Sequence, residues 1–243
     1  MRKIIPHQKN DAMKYRFVKM ILFVFLYSTV ACAQKVTIIK DSIAYKANQY
    51  VLEEIKVNLK GAQAIAIQNQ IHDVNGIFNK PKFKKPQDRL SAKRDTLASL
   101  IARDELDQAN YGFEEYTIFF QNDKMANLSV HLQSFGSPFE AYSFLSFDFS
   151  NGRKIDHSYF QNTVKLKAKI QSKLKSEGKE MKVSDADLAS FIIRADSNRK
   201  ITGMAFVIFD TENYRNSGYE RFEVDFTKAE VESFLSPQFK NLL

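Results

Sequence analysis

Between residues 113 and 149 apolar and polar side chains alternate with a period of two, interrupted at short intervals by turn residues. Residues 113–121 place Tyr116, Ile118 and Phe120 on one side, and Asn122-Asp123 turns the chain. Residues 125–135 then set Ala126, Leu128, Val130 and Leu132 against Asn127, Ser129, His131 and Gln133. Gly136-Ser137-Pro138 marks a second turn. Residues 139–149 gather Phe139, Ala141, Leu145, Phe147 and Phe149 on one side, ending at Asn151-Gly152, a hairpin signal. Strands joined by such short turns pair antiparallel.

The flanking segments carry other periods. Residues 49–59 read as a strand that Lys60-Gly61 breaks; Ala62 to His72 is helical, with Ile65, Ile67 and Ile71 apolar. Residues 73–86, with Asn75-Gly76, Pro81 and Pro86, form a loop. Residues 87–108 carry Leu90, Leu97, Leu100, Ile101 and Leu106 at the spacing of one helix or two short ones. In 163–177 Leu166, Ile170 and Leu174 repeat every four residues among five lysines. Ser184 and Asp187 resemble a helix start. Residues 201–209 are apolar on both faces, the pattern of a covered central strand, and 219–226 alternate through Phe222, Val224 and Phe226. Thr227 and Glu230 predict a capping box ahead of a helix burying Val231, Phe234 and Leu235. Helices and strands segregate, so the expected class is α+β: one twisted antiparallel sheet of about five to six strands packed with roughly two to four helices. Phe147, Val207 and Val224 are expected in its core.

The first 33 residues follow a different logic. Lys14, Arg16 and Lys19 precede the apolar run Met20 to Val30, which ends at Ala31-Cys32-Ala33. A charged start, a short apolar run and an A-x-A site describe a secretory signal peptide. Met20 to Ala33 would span about 21 Å as a helix, short of the ~20 residues that a membrane crossing needs. The reading is therefore a signal peptide over 1–33, with Met13 as an alternative start, and an exported single α+β domain over 34–243. Cleavage after Ala33 removes Cys32, the only cysteine. Cleavage before it would leave a lipidated N-terminus, which Ala31 suits and Thr29, standing where Leu is usual, does not. Either outcome excludes an internal disulfide.

Charge changes the picture less than it promises. The net charge of +8 falls to +3 outside residues 1–33, where 30 basic and 27 acidic residues remain. That is an ordinary surface, and no nucleic-acid partner is expected. With 21 Phe, 10 Tyr and no Trp, aromatic packing should dominate the core.

The last 110 residues show an ordered series: FLSFDFSNGRKI (144–155), a Lys-rich helix, ITGMAFVIFD (201–210), a Tyr- and Gly-containing loop, and RFEVDFTKAEVESFL (221–235). This resembles a secreted domain of unknown function that sometimes precedes the catalytic domain of peptidoglycan deacetylases and also stands alone in exported proteins. Residues 49–73 resemble the N-terminal half of the same unit. The resemblance implies a fold and an envelope location, not deacetylase activity. Members often carry a His in the glycine-rich turn before the FDF-like strand; here that turn is Phe135-Gly136-Ser137-Pro138, so no role of that His carries over.

Candidate chemistry is sparse. His72, His131 and His157 stand alone, without metal-ligand spacing, and His131 falls on the polar, solvated side of its strand. The acids Asp104-Glu105-Asp107 and Glu114-Glu115 read as helix-end or solvated groups. Lys80 to Arg94 holds seven basic residues against Asp88 and, with the helix of 163–177, reads as solvated surface, with an anionic lipid or polymer as the alternative partner. Nucleophile-elbow, phosphate-loop and dinucleotide patterns are absent. No catalytic residue, metal site or cofactor is assigned. The ligand-site candidate is the loop holding Tyr214, Arg215 and Tyr219, whose rings and guanidinium suit a sugar or peptide. The expected protein is a cell-envelope binding module for a wall glycan or an envelope protein, touching membrane only through its leader or a lipid on Cys32. The alternatives are an envelope hydrolase with a carboxylate site and a structural lipoprotein.

Overall fold

A computed structural model describes residues 34–74, 83, 85–109, 111–215 and 218–243, without the side chains of 213–215. The leader, Cys32, and Lys80, Lys82 and Lys84 of the basic loop lie outside the described residues. Lys35–Leu243 form one compact unit.

The class is α+β, but the strands do not join into one sheet. β1 (Val36–Tyr45) and β2 (Asn48–Val57) make a hairpin; β3 (Gly112–Gln121), β4 (Met125–Ser134), β5 (Glu140–Asp148) and β6 (Arg153–Lys154) form a meander; β7 (Phe191–Ala195), β8 (Ile201–Arg215) and β9 (Gly218–Thr227) form a third sheet, all antiparallel. The sheet expected from sequence is divided because the meander and the β7–β9 sheet stack face to face. β8 shows why. Ala205 and Val207 pack with Phe144 of β5 and Ile192 of β7, while Met204, Phe206 and Ile208 turn to the opposite side. A strand apolar on both faces needs a layer on each.

This stacking also covers the polar side of β4. Asn127, fully buried, donates to Ser146 Oγ and Phe191 O, each at 2.8 Å, and accepts from Ile193 N at 2.8 Å. One side chain thus serves β7 as a ladder partner. The other side of β4, with Ala126, Leu128 and Val130, meets Phe147, Ile55 of β2 and Ile67 and Ile71 of α1 (Ala62–His72). Asn151-Gly152 makes the β5–β6 turn, with Gly152 at φ 71 and its carbonyl accepting from Gln70 Nε2 at 2.8 Å.

The 87–108 segment becomes α2 (Pro86–Ala102) and a short 3-10 turn at Leu106–Gln108. Beyond the third sheet lie α3 (Thr163–Ser176), α4 (Lys228–Glu232) and α5 (Pro237–Leu242). Leu166, Ile170 and Leu174 of α3 are all 0% exposed, and Thr227 and Glu230 form the capping box of α4. Lys167 pairs with Asp185 at 2.8 Å and Lys173 with Glu230 at 3.1 Å. Phe147 and Val207 are 0% exposed and Val224 2%, so all three occupy the core.

Candidate functional site

Two groupings of chemistry stand out, and only one is open. The closed one joins α1, α2, β2 and β3, and corrects two sequence expectations. Arg89 and Lys93 of the basic segment are not surface residues, and Glu114 is not solvated. Arg89 donates to both Glu114 oxygens at 2.7 and 2.8 Å and to Glu54 at 2.5 Å. Lys93 Nζ lies 2.6 Å from Glu114, 3.0 Å from Glu54 and 2.6 Å from the Glu53 carbonyl. Tyr116 Oη donates to Glu114 at 2.9 Å. His72, also buried, has Nε2 3.2 Å from Glu54 and 2.8 Å from Gln68.

Two carboxylates and two cations here balance in charge. Burial alone would raise the Glu54 carboxyl; the His72 hydrogen bond and the charges of Lys93 and Arg89 outweigh it and hold it at about 2. Glu114 is likewise held below its ordinary value by Arg89 and Lys93 against its burial. Burial, reinforced by Glu114 and Glu54, pushes the Tyr116 phenol well up, so it remains a donor. With Arg89 at 0% and Lys93 at 2% exposure, the cluster offers a ligand no face. Its role is to tie the first hairpin and two helices to the meander.

The open grouping lies where the β8–β9 hairpin rests on the start of β5. A cavity of about 540 Å³ is lined there by the rings of Tyr142, Phe209 and Tyr219 and by the acids Glu140 and Asp187. Gly218 seats the hairpin: its φ is +99, and a Cβ there would stand 2.2 Å from the Glu140 carbonyl oxygen. Only glycine permits both that backbone and that approach. The β8–β9 register shifts between Phe209 and Tyr214, and such an irregularity re-aims the side chains beside it.

Tyr142 is held rigidly. His131 stacks on its ring at 4.1 Å and 6°, the Arg221 guanidinium lies 3.6 Å from the ring centroid, and its hydroxyl donates to Glu140 at 3.2 Å. Burial raises the Tyr142 hydroxyl above its ordinary value, with Arg221 opposing. With its ring so occupied, Tyr142 presents its hydroxyl edge, and Tyr219 is 48% exposed. His131, expected in solvent, is instead largely covered: its side chain is 16% exposed, between Glu115 at 3.2 Å and Glu140 at 3.5 Å. The Tyr142 ring stacked on it and the two flanking carboxylates, all from neighbouring strands of its own sheet, are the reason.

Of the sequence candidates, Tyr219 lines the cavity. Tyr214 and Arg215 pair through their backbones with Tyr219 and Gly218, while their side chains lie outside the described residues. Sequence reasoning missed Glu140, Tyr142, Asp187 and Phe209. One signal was available: the turn at Gly136-Ser137 sets a register that places His131 opposite Tyr142. Among the described residues no group of three or more His, Cys, Asp or Glu is placed to hold a metal ion, and no helix is long and apolar enough to cross a membrane.

No family model and no curated protein matches the chain. Solved structures do. A member of the DUF3298 family from Bacteroides fragilis matches with a TM-score of 0.50 at 11% identity, over 86% of this chain and 97% of that one. A DUF3298 family protein from Pseudomonas aeruginosa matches at 0.45 and 9%, over 85% and 96%. The fold is therefore similar to that of a domain of unknown function, and at such identity the likeness is one of fold alone.

Proposed function

We propose that this chain is an exported cell-envelope protein that binds a cell-wall glycan in the cavity between β5 and the β8–β9 hairpin. The observation that carries the reading is the lining: a half-exposed tyrosine, a second tyrosine, a phenylalanine and two carboxylates around about 540 Å³. Sugars present C–H faces that pack on rings and hydroxyls that donate to carboxylates. The anchoring at Gly218 and the clamped Tyr142 reduce the entropy lost on binding. The leader pattern of residues 1–33 supports export, and the likeness to a secreted companion of peptidoglycan deacetylases supports the wall as its location. Tyr214 and Arg215 belong to the same hairpin, paired through their backbones with Tyr219 and Gly218.

The second reading, a hydrolase, draws on Glu140 and Asp187 lining one cavity. Co-sedimentation of the purified chain with insoluble wall material, with released sugar ends measured in the supernatant, separates the two. The binding reading expects retention that falls in Tyr219→Ala, without release. Release that disappears in Glu140→Gln supports the hydrolase, and equal retention of both proteins removes the site.

A further inference from the structure

A second cavity, of about 370 Å³, opens where the turn between β7 and β8 meets α4 and α5. Its floor is the core itself: Ile193, Met204, Val231 and Leu235 are no more than 5% exposed. Its rim is cationic. Arg199, Lys200, Lys228 and Lys240 line it, all exposed, against one acidic side chain, Glu232, with Leu243, the last residue described, also at the rim. Unlike Lys167 and Lys173 of α3, these four cations have no carboxylate partner among the described residues.

The turn holds its cations in place. Asp196 Oδ1 accepts from Asn198 N and Lys200 N, each at 2.9 Å, and Arg199 stands at φ 62 with its N–H donating to the Asp196 carbonyl at 2.9 Å. The Asp196 carboxylate is thereby engaged by its own loop. Lys228 sits in the first turn of α4 and Lys240 on α5. Cations from three elements therefore converge on one apolar floor.

An apolar floor beneath unpaired cations is complementary to a molecule with a tail and an anionic head. Burying the tail removes apolar surface from water, and the head relieves the mutual repulsion of the rim. At about 30 Å³ per water-sized unit the cavity holds roughly a dozen such units, the scale of a medium-length aliphatic chain. We propose that this cavity binds an anionic amphiphile: a single aliphatic chain of roughly ten to twelve carbons bearing a carboxylate or phosphate head.

Calorimetric titration of the full chain tests this, with each probe below its micelle-forming concentration. The probes are dodecanoate, dodecyl phosphate, dodecyltrimethylammonium and inorganic phosphate. Saturable one-to-one binding of the first two is expected, with the last two at least about tenfold weaker. Their ranking separates a fatty-acid source from a phosphorylated one. The double variant Lys200→Glu, Lys228→Glu should weaken dodecanoate about tenfold or more, while exposed Lys182→Glu, outside the cavity, leaves it unchanged. The head-group comparison needs no variant. Equal affinity for cationic and anionic heads, absence of saturable binding by either anion, or an unchanged double variant would overturn the proposal.

Discussion

Replacing Arg89 by Met removes the central cation of the buried cluster while roughly keeping its length. The guanidinium holds both oxygens of Glu114 and one of Glu54, at 2.5 to 2.8 Å, and is 0% exposed. After the change the two buried carboxylates keep Lys93, with His72 beside Glu54 and the Tyr116 hydroxyl on Glu114, but lose the guanidinium they share. Breaking a buried ion pair from one side costs about 3–5 kcal/mol, because the remaining charge cannot return to water. Urea unfolding followed by circular dichroism at pH 7 reads this directly. With a slope near 2 kcal/mol per M, the midpoint should fall by roughly 2 M. Arg94→Met is the contrast: Arg94 pairs with Asp41 at 3.1 Å but is 51% exposed, so its loss should cost less than about 1 kcal/mol. Acid gives a second view. Glu54 is held at about 2 in the folded chain against an ordinary 4.5. Between those values the unfolded chain binds the extra proton, so this contribution is complete above about pH 4.5 and lost as pH falls toward 2. It amounts to ~3 kcal/mol. In Arg89→Met the acid transition should move to higher pH. A loss below ~1 kcal/mol, or an unmoved acid transition, would refute the view that these charges are sealed and interdependent.

The other predictions test packing, seating and processing. Phe147→Ala should cost about 3–5 kcal/mol in chemical denaturation, since Phe147 is 0% exposed between the meander and α1; a cost below ~1 would mean the site collapses. Asn127→Ala strands Ile193 N and Phe191 O, and should cost about 2–4 kcal/mol with faster hydrogen exchange at the Ile193 amide; unchanged exchange would deny the bridge between sheets. Gly218→Val should cost about 1–3 kcal/mol and weaken glycan retention, because a Cβ meets the Glu140 carbonyl; a neutral result would show the hairpin is not seated there. Intact mass of the exported protein should give an N-terminus at Gln34, and retention of residues 1–33 or a lipid on Cys32 would reject that cleavage.

Period and punctuation carried most of the fold. The alternation of 113–149, the four-residue spacing of α3 and the Thr227–Glu230 capping box all fall within a residue or two of the observed elements. β1 escaped notice because Lys40-Asp41-Ser42 interrupts its apolar run, and β7 because five residues are too few for a period. The larger misreading was of polar residues. Asn127 and His131 alternate as a solvent face would; the layer stacked over Asn127 and the side chains flanking His131 cover them. Arg89, Lys93, Glu54 and Glu114 look like surface charges one at a time; their neutralisation depends on partners 21 to 39 residues away. The cavity was legible only through Tyr219, since its other walls come from β5, β8 and the Asp187 turn, which no local pattern links.

The central claim is that the cavity between β5 and the β8–β9 hairpin holds a wall glycan. The direct measurement is calorimetric titration of a defined soluble wall-glycan fragment into the purified chain and into Tyr219→Ala and Tyr142→Phe, with Tyr50→Phe as an outside control. Losing the half-exposed Tyr219 ring should cost about 1–1.5 kcal/mol, a five- to tenfold loss of affinity, and losing the Tyr142 hydroxyl a smaller one. The control should match the unaltered chain. Identical affinities for all four proteins, or no saturable binding by any of them, would contradict the account.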